Sequence, residues 1–187
     1  MKSIMAAALI VLTSSVANVA SADPIKVGLI TTLSGGGAGL GVDTRDGFNL
    51  AIKLAGASDI EVITEDDGQK PELAVQIADK LIQENEVDIL TGIVWSNLLM
   101  AVAPSTVAQD KFYISTNAAP AALAGEKCHP LYFNAAYQND NLHEAVGQYA
   151  NEGFKKMFIM APNYPAGKDS LTGFKRYYKG EIASEIY

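Results

Sequence analysis

The chain has 187 residues, of which 49% are hydrophobic and 19% charged, the balance of an ordinary soluble domain. Its formal charge of −7 argues against a nucleic-acid or anionic-membrane surface. The single cysteine, Cys128, cannot form an internal disulfide, which leaves a buried thiol or a partner outside this sequence.

Lys2 precedes an apolar run from Ile4 to Leu12, and a polar stretch then ends in Ala20-Ser21-Ala22. A charged start, a short apolar segment and an A-x-A site read as a signal peptide over residues 1–22, with Asp23 opening the mature chain. The apolar segment is far shorter than the roughly 20 residues a bilayer requires. The cleavage site has no cysteine, so no lipid anchor is expected there, and the expected location is the periplasm.

Ile25, Val27, Leu29 and Ile30 predict a strand whose near-continuous apolarity suits a sheet covered on both faces. Gly35, Gly36, Gly37, Gly39 and Gly41 follow in a loop, and Phe48, Ala51, Ile52 and Ala55 then recur at helical spacing. No placement of G-x-G-x-x-G fits this loop, and G-x-x-x-x-G-K-[ST] fails because Val42 follows Gly41. A small ligand is therefore expected over a dinucleotide, with the helix N-terminus favouring a carboxylate or another polar group.

A second strand spans Ile60 to Thr64, and Glu65, Asp66 and Asp67 after it read as solvated loop carboxylates. Pro71 opens a helix carrying Leu73, Ile77 and Leu81, and Val87 to Leu90 forms a third strand. That strand exits into Thr91-Gly92-Ile93-Val94-Trp95-Ser96-Asn97, where Ser96 suits the N-cap of the next helix. Trp95 reads equally as a core plug or as a flat wall for a ligand ring. A fourth strand, Phe112 to Ser115, leads into Thr116-Asn117-Ala118-Ala119-Pro120, and Leu131 to Asn134 reads as a crossing strand.

Strands alternating with helices imply an α/β fold with a parallel sheet, right-handed crossovers and a ligand beyond the strands' carboxyl ends. The loops after strands one, three and four should meet there. The pattern restarts with a helix through Leu142, Ala145, Val146 and Tyr149, a strand from Met157 to Ala161, and a helix marked by Leu171, Phe174 and Tyr178. Between these lies Pro162-Asn163-Tyr164-Pro165-Ala166-Gly167-Lys168. The expected organisation is a signal peptide over 1–22, an amino-terminal lobe over 23–133 and the start of a second, incomplete lobe over 134–187. With one strand, that second lobe should show an unpaired sheet edge and an apolar face.

IKVGLITTLSGGGAGLG at the start, GIVWSN after the third strand, FYISTNAAP after the fourth and APNYPAGKDSLTGFK in the second lobe occur in order behind a signal peptide. From Ile25 to Tyr187 the chain resembles the amino-terminal half of a type I periplasmic solute-binding protein, of the leucine/isoleucine/valine-binding family that serves ABC importers. The resemblance implies two Rossmann-like lobes that close on a small carboxylate or amino acid, a membrane permease as partner, no cofactor and a monomeric full-length protein. It points to Ser96, Asn97 and Leu98 in one loop and Asn117, Ala118 and Ala119 in the other as ligand contacts. Ser34 and Leu40 belong to the glycine loop and helix start on the same rim, and Tyr164 arrives on closure.

The family usually has a threonine near Ala119 and tyrosines near Leu40 and Ala166. Without those hydroxyls the chain resembles a branch that takes up aromatic carboxylates, with leucine-type amino acids as the alternative ligand and a receptor ectodomain as an alternative role. No enzyme is expected: G-x-S-x-G is absent, and His129 and His143 accompany no nucleophile pattern beyond the neighbouring Cys128. No His/Cys cluster has metal-ligand spacing.

Overall fold

The computed structural model describes residues 23–187, so the signal-peptide segment lies outside the described residues. The first lobe runs β1 (Ile25–Thr31), α1 (Ala38–Ala55), β2 (Ile60–Asp66), α2 (Pro71–Gln83), β3 (Ile89–Gly92), α3 (Ser96–Val107), β4 (Phe112–Ser115), a short α4 (Ala121–Ala124) and β5 (Tyr132–Asn134). The second holds α5 (Asn141–Ala150), β6 (Lys156–Met160), α6 (Pro165–Tyr177) and β7 (Glu181–Ile186).

All pairings in the first sheet are parallel, in the order β2-β1-β3-β4-β5. The chain moves one way from β1 to β2 and the other way from β2 to β3, so right-handed crossovers put α1 on one face and α2 and α3 on the other. The reversal lies between β1 and β3, where sheets of this kind leave a crevice beyond the carboxyl ends. The strand at Leu131 to Asn134 is the fifth member of this sheet, pairing Tyr113 with Tyr132, rather than a strand crossing between lobes.

The core lies on the α2/α3 face. Ala74, Ile77, Ala78, Leu81 and Ile82 of α2 meet Leu98, Leu99, Val102 and Ala103 of α3 over Ile30, Leu90 and Tyr113 of the sheet. Each fully buried Leu or Ile contributes about 1.5–3 kcal/mol. The opposite face is thinner: Gly41 is the one buried residue of α1, Phe48 and Ile52 are half-buried, and Ala51, Ala55, Leu50 and Leu54 are exposed. The expected apolar stripe of α1 therefore covers the sheet only in part.

Three local expectations change. The third strand starts two residues later, because Val87 and Asp88 lead into it through their amides, bonded to Leu81 O at 3.1 Å and Lys26 O at 2.8 Å. Cys128 is exposed, so its thiol is not buried. The second lobe holds a further strand, β7, which pairs parallel with β6 across an irregularity between Met157 and Phe158. Its core is small: Ala150, Ile159, Leu171, Phe174 and Tyr178.

Candidate ligand-binding cleft

β1 and β2 run in register from Ile25 opposite Ile60 to Thr31 opposite Asp66, so Thr32 and Asp67 leave the sheet side by side. Both are fully buried. The Thr32 hydroxyl donates to Asp67 Oδ1 at 2.6 Å, and the Gln69 amide donates to the same oxygen at 2.9 Å. Asp66 accepts the Leu33 amide at 2.7 Å and the Gly68 amide at 3.0 Å. These carboxylates are not solvated loop groups, as their sequence context suggests; they staple the β1 and β2 exits together.

Burial pushes the Asp67 carboxyl above the usual carboxylate range, against the pull of the Thr32 and Gln69 donors. For Asp66 burial also pushes upward, but hydrogen bonds from Ser34, Leu33 and Gly68 outweigh it and hold the group below its ordinary value.

β3 leaves the sheet through a sharp turn. Gly92 has φ 98°, and a Cβ there would lie 2.1 Å from the Ile30 carbonyl oxygen, so only glycine fits. Ile93, fully buried, follows at φ 58° and donates its amide to Ile30 O at 2.6 Å. A β-branched residue in the left-handed region is strained, by about 1–3 kcal/mol. The strained turn carries Trp95 over the end of β1, where its indole N–H donates to the Thr32 hydroxyl at 3.0 Å.

Trp95, not Ser96, occupies the N-cap of α3, and it makes no side-chain cap; Ser96 is the first helical residue. The Ser96 side chain is almost wholly buried and accepts the Asn139 side-chain amide at 3.1 Å. In the first turn of α3 the amides of Ser96, Asn97 and Leu98 have no intrahelical acceptor, the arrangement that favours an anion.

A cleft of about 390 Å³ opens in front of this turn, lined by Gln69, Trp95, Asn97 and Leu98 of the first lobe and Pro162, Asn163 and Tyr164 of the second. None of these side chains carries a formal charge. Partial burial raises the Tyr164 phenol, which stays neutral.

Of the residues singled out in the sequence, the structure brings Trp95, Asn97 and Tyr164 together, with Ser96 directly behind them. Ser34 and Leu40 are exposed on the β1 exit and α1, outside the cleft lining. Asn117, Ala118 and Ala119 brace the site instead of lining it. Asn117 Nδ2 donates to Val94 O at 3.0 Å and the Ala118 amide to Ile93 O at 3.3 Å, while Ala119 O accepts the Asn139 amide at 2.9 Å. Gln69 escaped the sequence reading; its signal is a loop residue behind Gly68 at the carboxyl end of β2, one strand from the crevice. Among the described residues no group of three or more His, Cys, Asp or Glu side chains is placed to hold a metal ion.

The profile of a family described as periplasmic binding proteins matches residues 24–187. A solute-binding protein of an ABC transporter from Rhodopseudomonas palustris BisB5, solved with 3,4-dihydroxybenzoic acid, is 28% identical, with a TM-score of 0.83 over 88% of this chain and 47% of that one. A solute-binding protein of Rhodopseudomonas palustris, solved with benzoate, is 29% identical, with a TM-score of 0.82 over 87% and 48%. The branched-chain amino acid transporter substrate-binding protein of Streptococcus pneumoniae, solved with isoleucine, shares the fold at 23% identity, with a TM-score of 0.78 over 88% and 49%. No match was found among curated proteins. The chain thus spans about half the length of the solved structures it matches. It belongs to the periplasmic binding protein family.

Proposed function

We propose that the chain forms the amino-terminal part of an extracytoplasmic substrate-binding protein, exported by a cleaved signal peptide, which captures a small aromatic carboxylate between its lobes and presents it to an ABC-importer permease. The full-length protein acts as a monomer, and no bond is made or broken. The observation that carries this reading is a cleft with an aromatic side chain from each lobe, Trp95 and Tyr164, beside the free first-turn amides of α3.

The carboxylate sits at the α3 N-terminus, where charge-assisted hydrogen bonds contribute about 1.5–3 kcal/mol each. The ring lies against Trp95, a contact worth about 0.5–1.5 kcal/mol beyond its buried area. Closure then brings Tyr164 onto the ligand and excludes water. An α-ammonium group finds no carboxylate in the lining, and its desolvation without an acceptor costs several kcal/mol. The solved relatives with bound benzoates, at 28% and 29% identity, support the same ligand class.

Calorimetry on the full-length protein tests the assignment. Benzoate or 4-hydroxybenzoate is expected to bind, and leucine and isoleucine are not. Sub-micromolar binding of a branched-chain amino acid with no response to either benzoate would overturn it in favour of the amino-acid alternative.

A further inference from the structure

Trp95 owes its place in the cleft to two residues that line no part of it. Its indole N–H donates to Thr32 Oγ1 at 3.0 Å, and Thr32 Oγ1 donates to Asp67 Oδ1 at 2.6 Å. The direction of this relay is fixed by chemistry, since an indole nitrogen only donates and the hydroxyl that accepts from it has one proton left to give. Asp67 Oδ1 receives a second donor, the Gln69 amide at 2.9 Å, while Oδ2 is buried without a hydrogen-bond partner among the described residues. Oδ1 thus remains the acceptor in either protonation state, because a proton would reside on Oδ2.

The benzo carbon beside that N–H edge is also confined. A Cβ on Gly37 would lie 2.5 Å from Trp95 Cζ2, so the glycine loop packs directly on the benzo ring. Thr32 holds the N–H of the indole and Gly37 packs against the neighbouring benzo carbon, so a half-exposed side chain is held at two adjoining points.

We propose that Thr32 and Asp67 are positioning residues for ligand recognition: together they lock the Trp95 indole as a preformed wall of the cleft and so set the affinity for flat aromatic carboxylates. The inference rests on the ligand class proposed above. A preset wall spares the binding step the cost of ordering the largest side chain in the lining.

The experiment uses the full-length protein, with the signal of Trp95 isolated as the difference from a Trp95→Phe variant and benzoate as the titrant. Without ligand, Thr32→Val is expected to shift Trp95 emission to the red and to quicken its quenching by acrylamide. Its dissociation constant for benzoate is expected to rise about tenfold, the effect of one lost hydrogen bond. Thr32→Ser, which keeps the hydroxyl, restores both readouts. In the Trp95→Phe background, Thr32→Val changes benzoate affinity no further, because its effect passes through the indole.

Unchanged Trp95 emission and quenching in Thr32→Val, or an equal loss of affinity with and without Trp95, would overturn the proposal. Failure of the wild type to bind benzoate defeats the ligand reading instead, while the ligand-free spectra still decide the positioning role. If Thr32→Val does not fold, Thr32→Cys, whose thiol is a weak acceptor of similar size, carries the same comparisons.

Discussion

The Asp169 carboxylate on α6 accepts the backbone amide of Ala121 at 3.0 Å, so a second-lobe side chain fixes the start of α4 in the first lobe. The same oxygen accepts one proton of the Asn139 side chain at 3.0 Å, and that side chain reaches Ser96 Oγ at 3.1 Å. One acid and one amide therefore pin the two lobes beside the α3 N-terminus. Asp169→Ala leaves the Ala121 and Asn139 donors without this acceptor, which is expected to destabilise the full-length protein by about 1–3 kcal/mol. Asp169→Asn retains an acceptor and is expected to cost less. A melting curve for Asp169→Ala that overlays the wild type would show the pin to be idle.

Gly37 is required for space, not for backbone freedom. Its φ of −96° suits any residue, but an added methyl would meet Trp95 Cζ2 at 2.5 Å and Gln69 Nε2 at 2.7 Å, both in the cleft lining. Gln69 is exposed and gives way, whereas Trp95 is tethered to Thr32. Gly37→Ala is expected to displace the cleft wall and weaken benzoate binding several-fold, with a stability loss of about 1–3 kcal/mol typical of overpacking. Calorimetry and thermal melts on the same variant separate the two effects, and an unchanged dissociation constant would contradict the packing argument.

The neighbouring acids Asp66 and Asp67 should act oppositely on stability as pH changes. Asp67, raised above 3.8 by burial, binds its proton more tightly in the folded state, so its contribution favours folding at low pH and is lost as pH rises from 3.8 through the folded value. Asp66, lowered by its donors despite burial, contributes stability above 3.8 that is lost as pH falls through its folded value. Asp67→Asn keeps the Oδ1 acceptor and removes the Asp67 titration. Between 3.8 and neutrality its melting temperature is expected to decline less with rising pH than that of the wild type. Parallel pH profiles for the two proteins would refute the assignment.

How far the chain was legible depends on whether a residue's role is local. The strand from Ile25 announces itself because a central parallel strand is covered on both faces and its apolar run is nearly continuous. β7, EIASEI, has Glu181, Ser184 and Glu185 among its six residues and a largely exposed pattern, so no apolar run marks it. Ser96 suits an N-cap by residue type, but the chain leaves the Ile93 turn with Trp95 at the cap and Ser96 one position inside the helix. The Thr32–Asp67–Trp95 relay joins residues 35 and 63 positions apart, and only the in-register pairing of β1 with β2 and the reversal at β3 bring them together. Asp66 and Asp67, read alone, look like any acidic loop.

The second sheet keeps one open face. Along β6, Met157 and Ile159 turn inward while Lys156, Phe158 and Met160 turn out, leaving Phe158 at 53% and Met160 at 71% exposure. Parallel strands seldom leave one face bare, because crossover helices cover both, yet here α5 and α6 with the small core under Ile159 cover one side alone. Residues 23–187 produced alone are therefore expected to bind the hydrophobic dye ANS and to self-associate, while the full-length protein does neither. The combined Phe158→Ser and Met160→Thr change should reduce dye binding in the shorter chain without altering its far-ultraviolet circular dichroism, since neither side chain packs into the core. Monomeric elution of the unsubstituted shorter chain with no dye signal above the full-length protein would show that this face needs no covering.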